Sequence, residues 1–244
     1  MRTLALTAAL ATALTGTGCI VNTSDPVGDL DLAWQFRNSD GVLAGNFTST
    51  NSGCGTAAIE DVQVEVFDAF NRPVVSRSFF CQESPSGFPR AFIPGLAVGS
   101  YSYLVTASRS GSAVFDGSGF FDVFDNDTAF VDATLDVLTV APLSIYFTQN
   151  GAATCAGTPF IRYDLFTAGG ALIESNDQVA CDPVSTGFTV TLDQPTGLNY
   201  GVDLFALTAG GASVNERCLQ TVRHTGFPAP SINLLPAPQA ACGP

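Results

Sequence analysis

The strongest constraint on this chain is that it is written twice. Cys54 and Cys81 stand 27 residues apart, and Cys155 and Cys181 stand 26 apart. Gly87-Phe88 follows the second cysteine at the same distance as Gly187-Phe188 follows the fourth. Pro94-Gly95-Leu96 with Tyr101 is echoed by Pro195-Thr196-Gly197-Leu198 with Tyr200, and Ala107, Gly111 and Val114 by Ala206, Gly210 and Val214. The offsets all fall between 99 and 102 residues, which an unrelated pair of segments would not sustain in order. A unit of about 100 residues, large enough to bury a core of its own, has been duplicated in tandem. The expected boundaries are 30–140 and 141–244.

Within each unit the apolar residues alternate. Val62, Val64 and Val66 alternate with Gln63, Glu65 and Phe67, and Ile161, Tyr163 and Leu165 with Arg162, Asp164 and Phe166. Period-two alternation places one face of a sheet inward. Turn clusters at 68–73 and 168–170 separate these runs from strands over 74–80 and 171–180; further strands are expected at 101–107, 114–124, 128–138 and 200–207. No long window has helical periodicity. Short strands separated by Gly- and Pro-containing turns predict an all-β chain of two tandem Ig-like or transthyretin-like β-sandwich domains after a signal peptide.

The stretch from Phe92 to Tyr101, followed by Leu104-Val105-Thr106-Ala107, resembles the strand-turn-strand segment of carboxypeptidase-regulatory-like and transthyretin-like sandwiches. With its Cys pair, the unit is similar to tandem repeats of lipoproteins from high-GC Gram-negative bacteria such as myxobacteria. The resemblance implies an architecture and no catalytic residue.

Seven cysteines sharpen the picture. Equivalent copies imply the bridges Cys54–Cys81 and Cys155–Cys181. Cys218 falls where the first copy has Ser118, so its remaining partner is Cys242, and Cys19 is left over. Each 26- or 27-residue loop would restrict the unfolded chain by about 3–4 kcal/mol on the chain-entropy argument. Disulfides also imply an oxidising, extracytoplasmic compartment. Pro228, Pro230, Pro236 and Pro238 limit the tail to a short edge strand near 231–235, and the short connection at 139–142 suggests separate cores.

Cys19 has a natural use. Met1-Arg2 and the apolar run Leu4 to Leu14 form a signal segment too short to cross a bilayer as a mature helix. The following Leu14-Thr15-Gly16-Thr17-Gly18-Cys19 resembles the lipobox of bacterial lipoproteins, which implies residues 1–18 as signal peptide, lipidation at Cys19 and a tether over 19–29. Gly16 stands where that motif usually has Leu; the alternative is ordinary secretory cleavage nearby.

Composition excludes much else. Nine basic residues, all Arg, face 22 acidic ones, giving a formal net charge of −13. Such a surface repels phosphate backbones, so nucleic acid is not an expected partner. The absence of Lys removes Schiff-base chemistry, and a lone His224 without a Gly-x-Ser-x-Gly elbow removes the usual hydrolase arrangement. No catalytic residue, cofactor or enzyme activity is expected. Asp122, Asp125 and Asp127 are a weak calcium candidate, since the ligands that should follow Asp127 are missing; no metal is expected. Trp34, Phe36, Tyr146 and Phe147 are expected in the cores rather than as a sugar-stacking row. The expected function is a non-enzymatic, lipid-anchored envelope protein of the outer membrane, periplasmic or surface-facing, acting as a structural, adhesive or ligand-presenting module for a protein or glycan partner. The alternatives are a glycan- or calcium-dependent adhesion domain and a secreted, soluble form.

Overall fold

In both halves of the chain the first strand runs parallel to the last, and all other pairings within the two large sheets are antiparallel. The computed structural model describes residues 25–47, 53–81, 90–182, 184, 186–239 and 242. The signal segment, Cys19, most of the tether and Gly87-Phe88 lie outside the described residues.

The first half contains β1 (Val27–Arg37), β2 (Leu43–Ala44), one helical turn α1 (Cys54–Ala57), β3 (Asp61–Asp68), β4 (Pro73–Phe80), β5 (Arg90–Ala97), β6 (Gly99–Arg109), β7 (Ser112–Val123) and β8 (Thr128–Val137). After β9 (Val140–Ala141), the second contains β10 (Ser144–Gln149), β11 (Phe160–Thr167), β12 (Leu172–Ala180), β13 (Gly187–Thr189), β14 (Gln194–Pro195), β15 (Leu198–Leu207), β16 (Ser213–His224) and β17 (Ile232–Pro236). The fold is all-β.

The strand orders are the same. The first sheet runs β4-β3-β6-β7-β8-β1-β5, with β2 beside the end of β1; the second runs β12-β11-β15-β16-β17-β10-β13. In each, one joint is narrow. Only Phe115↔Val137 and Asp116↔Asp136 pair β7 with β8, and only Asn215↔Pro236 and Glu216↔Leu235 pair β16 with β17. The sheet folds over at this corner and packs its two arms face to face. Leu30, Leu32, Trp34 and Phe36 of β1 thereby share one cluster with Val62, Val64 and Val66 of β3 and with Tyr103 and Val105 of β6. The alternating valines are fully buried, each stabilising the sandwich by about 1.5–3 kcal/mol relative to exposure. A matching cluster in the second half gathers Ile145, Phe147, Tyr163, Leu165, Val202 and Leu204. Tyr101 and Tyr200 repeat one device, donating their hydroxyls to the carbonyls of Ala97 and Pro195 at 2.7 and 2.8 Å.

Two expectations need correction. The tail strand β17 is not an edge: it lies between β16 and β10, and Phe147 to Gln149 pair with Ile232 to Leu234. Its prolines fall before the strand at 228 and 230, at its last residue, 236, and beyond it at 238, and leave the donors between 230 and 236 free for a ladder. The cores are also not isolated. Phe227 of the second half packs against Phe115 of the first at 5.8 Å between centroids, and Ala141 belongs to the first cluster. Three disulfides join Cys54 to Cys81, Cys155 to Cys181 and Cys218 to Cys242.

Candidate binding surface

The residues nominated from sequence do not assemble into a reaction centre. Asp122 is exposed on β7 and accepts a hydrogen bond from Ser100 at 2.6 Å, while Asp125 and Asp127 sit in the β7–β8 turn. Among the described residues no group of three or more His, Cys, Asp or Glu side chains is placed to hold a metal ion. His224 is 1% exposed, its Nε2 lies 3.0 Å from the Ala141 carbonyl, and burial holds its pKa below the ordinary imidazole value. Trp34, Phe36 and Phe147 are buried, and Tyr146 is half-buried.

The structure instead draws attention to a seam between the halves. Arg109, at the end of β6, is 4% exposed and has no carboxylate in its hydrogen-bond set among the described residues. Its guanidinium donates to the carbonyls of Ala57 (2.5 Å), Ala58 (3.2 Å) and Gly226 (2.6 Å) and to the Ser144 hydroxyl (3.2 Å). Burial lowers its pKa, with Tyr146 and Glu60 opposing the shift; a guanidinium nevertheless keeps its charge. The five-donor fork suits this place because it ties three chain segments together at once. Around it, Ser39 N–H donates to the Thr225 carbonyl, Thr196 donates to the Leu138 and Thr139 carbonyls, and Arg223 pairs with Asp40. The second half is therefore docked on the first through the outer face of β10 and the loop following β16.

Register identifies what occupies the same place on the first half. The corner pairs align Asp136 with Leu235, and hence Leu135 with Leu234; their parallel partners are Phe36 and Gln149. Stepping back along β1 and β10, Trp34 aligns with Phe147 and Asp31 with Ser144. Ser144 is the residue that receives Arg109. Its equivalent, Asp31, lies on an outer face that none of the described chain covers in this way.

On that face the register sets Phe92 of β5 and Phe130 of β8 on either side of Asp31. Leu30 and Leu32 point into the core, so Asp31 points out; Phe92 lies between buried Ala91 and Ile93 and is likewise outward. The two rings are 54% and 75% exposed, on strands about 10 Å apart across β1. Arg90 reaches across to Asp31 Oδ2 at 2.9 Å, and Asp31 Oδ1 is buried with no hydrogen-bond partner. Toward the start of β1 the patch continues into exposed Val27, Val98 and Phe124. These are brought together by Val98 N–H donating to the Pro26 carbonyl and Asn126 N–H donating to the Val27 carbonyl. Gly28 allows this closure, since a Cβ there would lie 2.3 Å from the Phe124 carbonyl oxygen. The phenylalanines are interleaved with Asp29, Asp125, Asp127 and Asp132.

Sequence reasoning passed over this face. The available signal was a lone ring on the polar row of β8, Thr128-Phe130-Asp132-Thr134-Asp136, but the pairing that sets Phe92 opposite it is non-local.

No protein-family model matches the sequence, and no curated protein does. Among solved structures, the chain is similar to a fimbrial assembly protein from Parabacteroides distasonis, with 13% identity, TM-score 0.39, and 88% of this chain and 93% of that one covered. It is also similar to the fimbrial anchor protein Mfa2 from Porphyromonas gingivalis, with 9% identity, TM-score 0.33 and coverage of 79% and 82%. The Bacillus anthracis TIE protein matches at 14% identity and TM-score 0.28 over 86% of this chain, which spans about a third, 33%, of that protein's length.

Proposed function

We propose that the chain is a non-enzymatic module of the bacterial cell envelope. It is built from tandem sandwiches over 30–140 and 141–244, held to the outer membrane by a lipid on Cys19, and presents the Phe92–Asp31–Phe130 face to a partner. The observation that carries this reading is the inequality of two equivalent faces: the one on the second half is covered by protein, while the one on the first exposes phenylalanine to solvent. Contiguous exposed apolar side chains rimmed by charge mark interaction surfaces in water-soluble domains.

The reading is tested by combining Cys19→Ala with Phe92→Ser/Phe130→Ser in cells. Wild type should enter the membrane fraction and leave it only with detergent, whereas Cys19→Ala should be released fully folded. The double serine variant should stay in the membrane and melt within about 2 °C of wild type, because exposed side chains away from structural features contribute little to stability. Detergent dependence persisting in Cys19→Ala would overturn the anchor. A large loss of stability in the double variant would make the rings structural.

A further inference from the structure

We propose that the bare face of the first half receives a basic segment of a partner protein, seating an arginine between Phe92 and Phe130 beside Asp31. This rests on the reading of the chain as a binding module and names the chemistry of what it binds.

The molecule holds a precedent of its own. On the second half, the equivalent face already receives an arginine, with Arg109 donating to Ser144 at 3.2 Å. On the first half that serine is replaced by Asp31, whose carboxylate strengthens the same kind of contact through charge assistance. Arg90 already takes Oδ2 at 2.9 Å and Oδ1 is buried, so an incoming guanidinium would meet the outer edge of this pair and the flanking rings rather than Oδ1 itself.

Charge favours the same occupant. Asp29, Asp125, Asp127 and Asp132 rim the patch, and the whole chain carries −13. An anionic lipid surface or an acidic partner is repelled there, and a cationic segment is attracted.

The two rings favour it as well. A guanidinium stacks favourably on an aromatic face, as Arg162 does over Phe205 at 4.9 Å and Arg72 over Phe70 at 5.2 Å in this chain.

A second copy of the chain does not supply the same partner. The corner of the second half that corresponds to Arg109, Phe115 and Val137 carries Thr208, Asn215 and Pro236 instead. It is also overlaid by the tail, where Gln239 N–H donates to the Glu216 carboxylate. Repetition of the internal docking from chain to chain would lose its cation and its apolar contacts.

The experiment uses the purified, processed chain at physiological salt with fluorescein-labelled hexa-arginine as probe. Hexa-glutamate and the neutral oligosaccharides cellohexaose and chitohexaose are run alongside it. Hexa-arginine should bind, and binding should fall about tenfold in Asp31→Asn and in Phe92→Ala/Phe130→Ala. Asp177→Asn, which removes a more exposed carboxylate from β12, should stay within about twofold of wild type. Phe130→Ala alone keeps the test decisive if Asp31→Asn unfolds, because the ring is exposed. Equal weakening by all variants would reduce the effect to diffuse charge and overturn the proposal. So would the absence of arginine binding, oligosaccharide binding that depends on the two rings, or a ring-dependent dimer in sedimentation. Fractionation of Cys19→Ala is independent of these outcomes, so failure of the anchor and failure of the binding chemistry are distinguishable.

Discussion

The guanidinium of Arg109, at the end of the first half's β6, donates to the backbone carbonyl of Gly226 in the second half at 2.6 Å. Few contacts in the molecule join positions so far apart in sequence, and this one is sealed from water. Because its acceptors are main-chain carbonyls, the bond does not depend on any side chain of the second half except Ser144.

Removing the clamp should therefore uncouple the two sandwiches. Arg109→Ala strands the carbonyls of Ala57, Ala58 and Gly226, and a buried acceptor left unpaired costs about 1–3 kcal/mol. Calorimetry should show one broadened or split transition in place of a single cooperative one. Arg109→Lys should recover only part of the effect, since an ammonium lacks the planar fork. An unchanged melting profile for Arg109→Ala would show that the seam contributes nothing to cooperativity.

Gly226 is constrained from the other side. Its φ is +88°, and an added Cβ would lie 2.2 Å from Val137 Cγ2. Gly226→Ala should push the loop off the Phe115–Phe227 contact and destabilise the protein by about 1–3 kcal/mol. By contrast, Gly211→Ala has open space around it and only the strain of its φ of +83° to bear. Its loss, read in the same denaturant titration, should be the smaller.

Cys242→Ser opens a 24-residue loop, releasing unfolded-state entropy worth about 3 kcal/mol. The loss should begin in the second half, around Glu216 and Gln239. It should then reach the first through Phe227, which touches Phe115. Hydrogen exchange resolves the order: faster exchange in β16 and β17, then at the seam, with β3 and β4 slowest to respond. Uniform acceleration throughout would contradict it.

His224 should give the protein an acid-sensitive seam. Burial lowers its pKa from 6.5, so the unfolded chain takes up a proton more readily than the folded one. Stability is then fully present above pH 6.5 and is lost as pH falls from there through the lowered folded-state value. His224→Gln should flatten that part of the stability–pH curve. The exposed Arg223–Asp40 pair close by lowers the aspartate's pKa, and acts only at more acidic pH, so the two contributions separate on the pH axis.

The sequence carried the local physics well. Alternating valines in β3 can satisfy period-two burial only as a strand, and the cysteine spacing singles out the pairs that the structure joins. The tail was misread for a non-local reason. Prolines forbid ladder bonds where they stand, but only assembly decides that β10 will lie alongside the donors between them.

What the sequence determined by itself was an all-β chain, a duplicated unit and its turns, because alternation and equal spacing are properties of neighbours along the chain. Tertiary structure decided which of two equivalent faces is covered. Ser144 and Asp31 occupy the same place in their sheets, yet one meets Arg109 across the seam and the other pairs with Arg90 of its own half between two exposed phenylalanines. That difference depends on how the halves dock, and docking is set by a buried guanidinium and a glycine held against Val137. Neither residue carries a local signal of its role, because each acts on a surface that exists only after both sandwiches have folded.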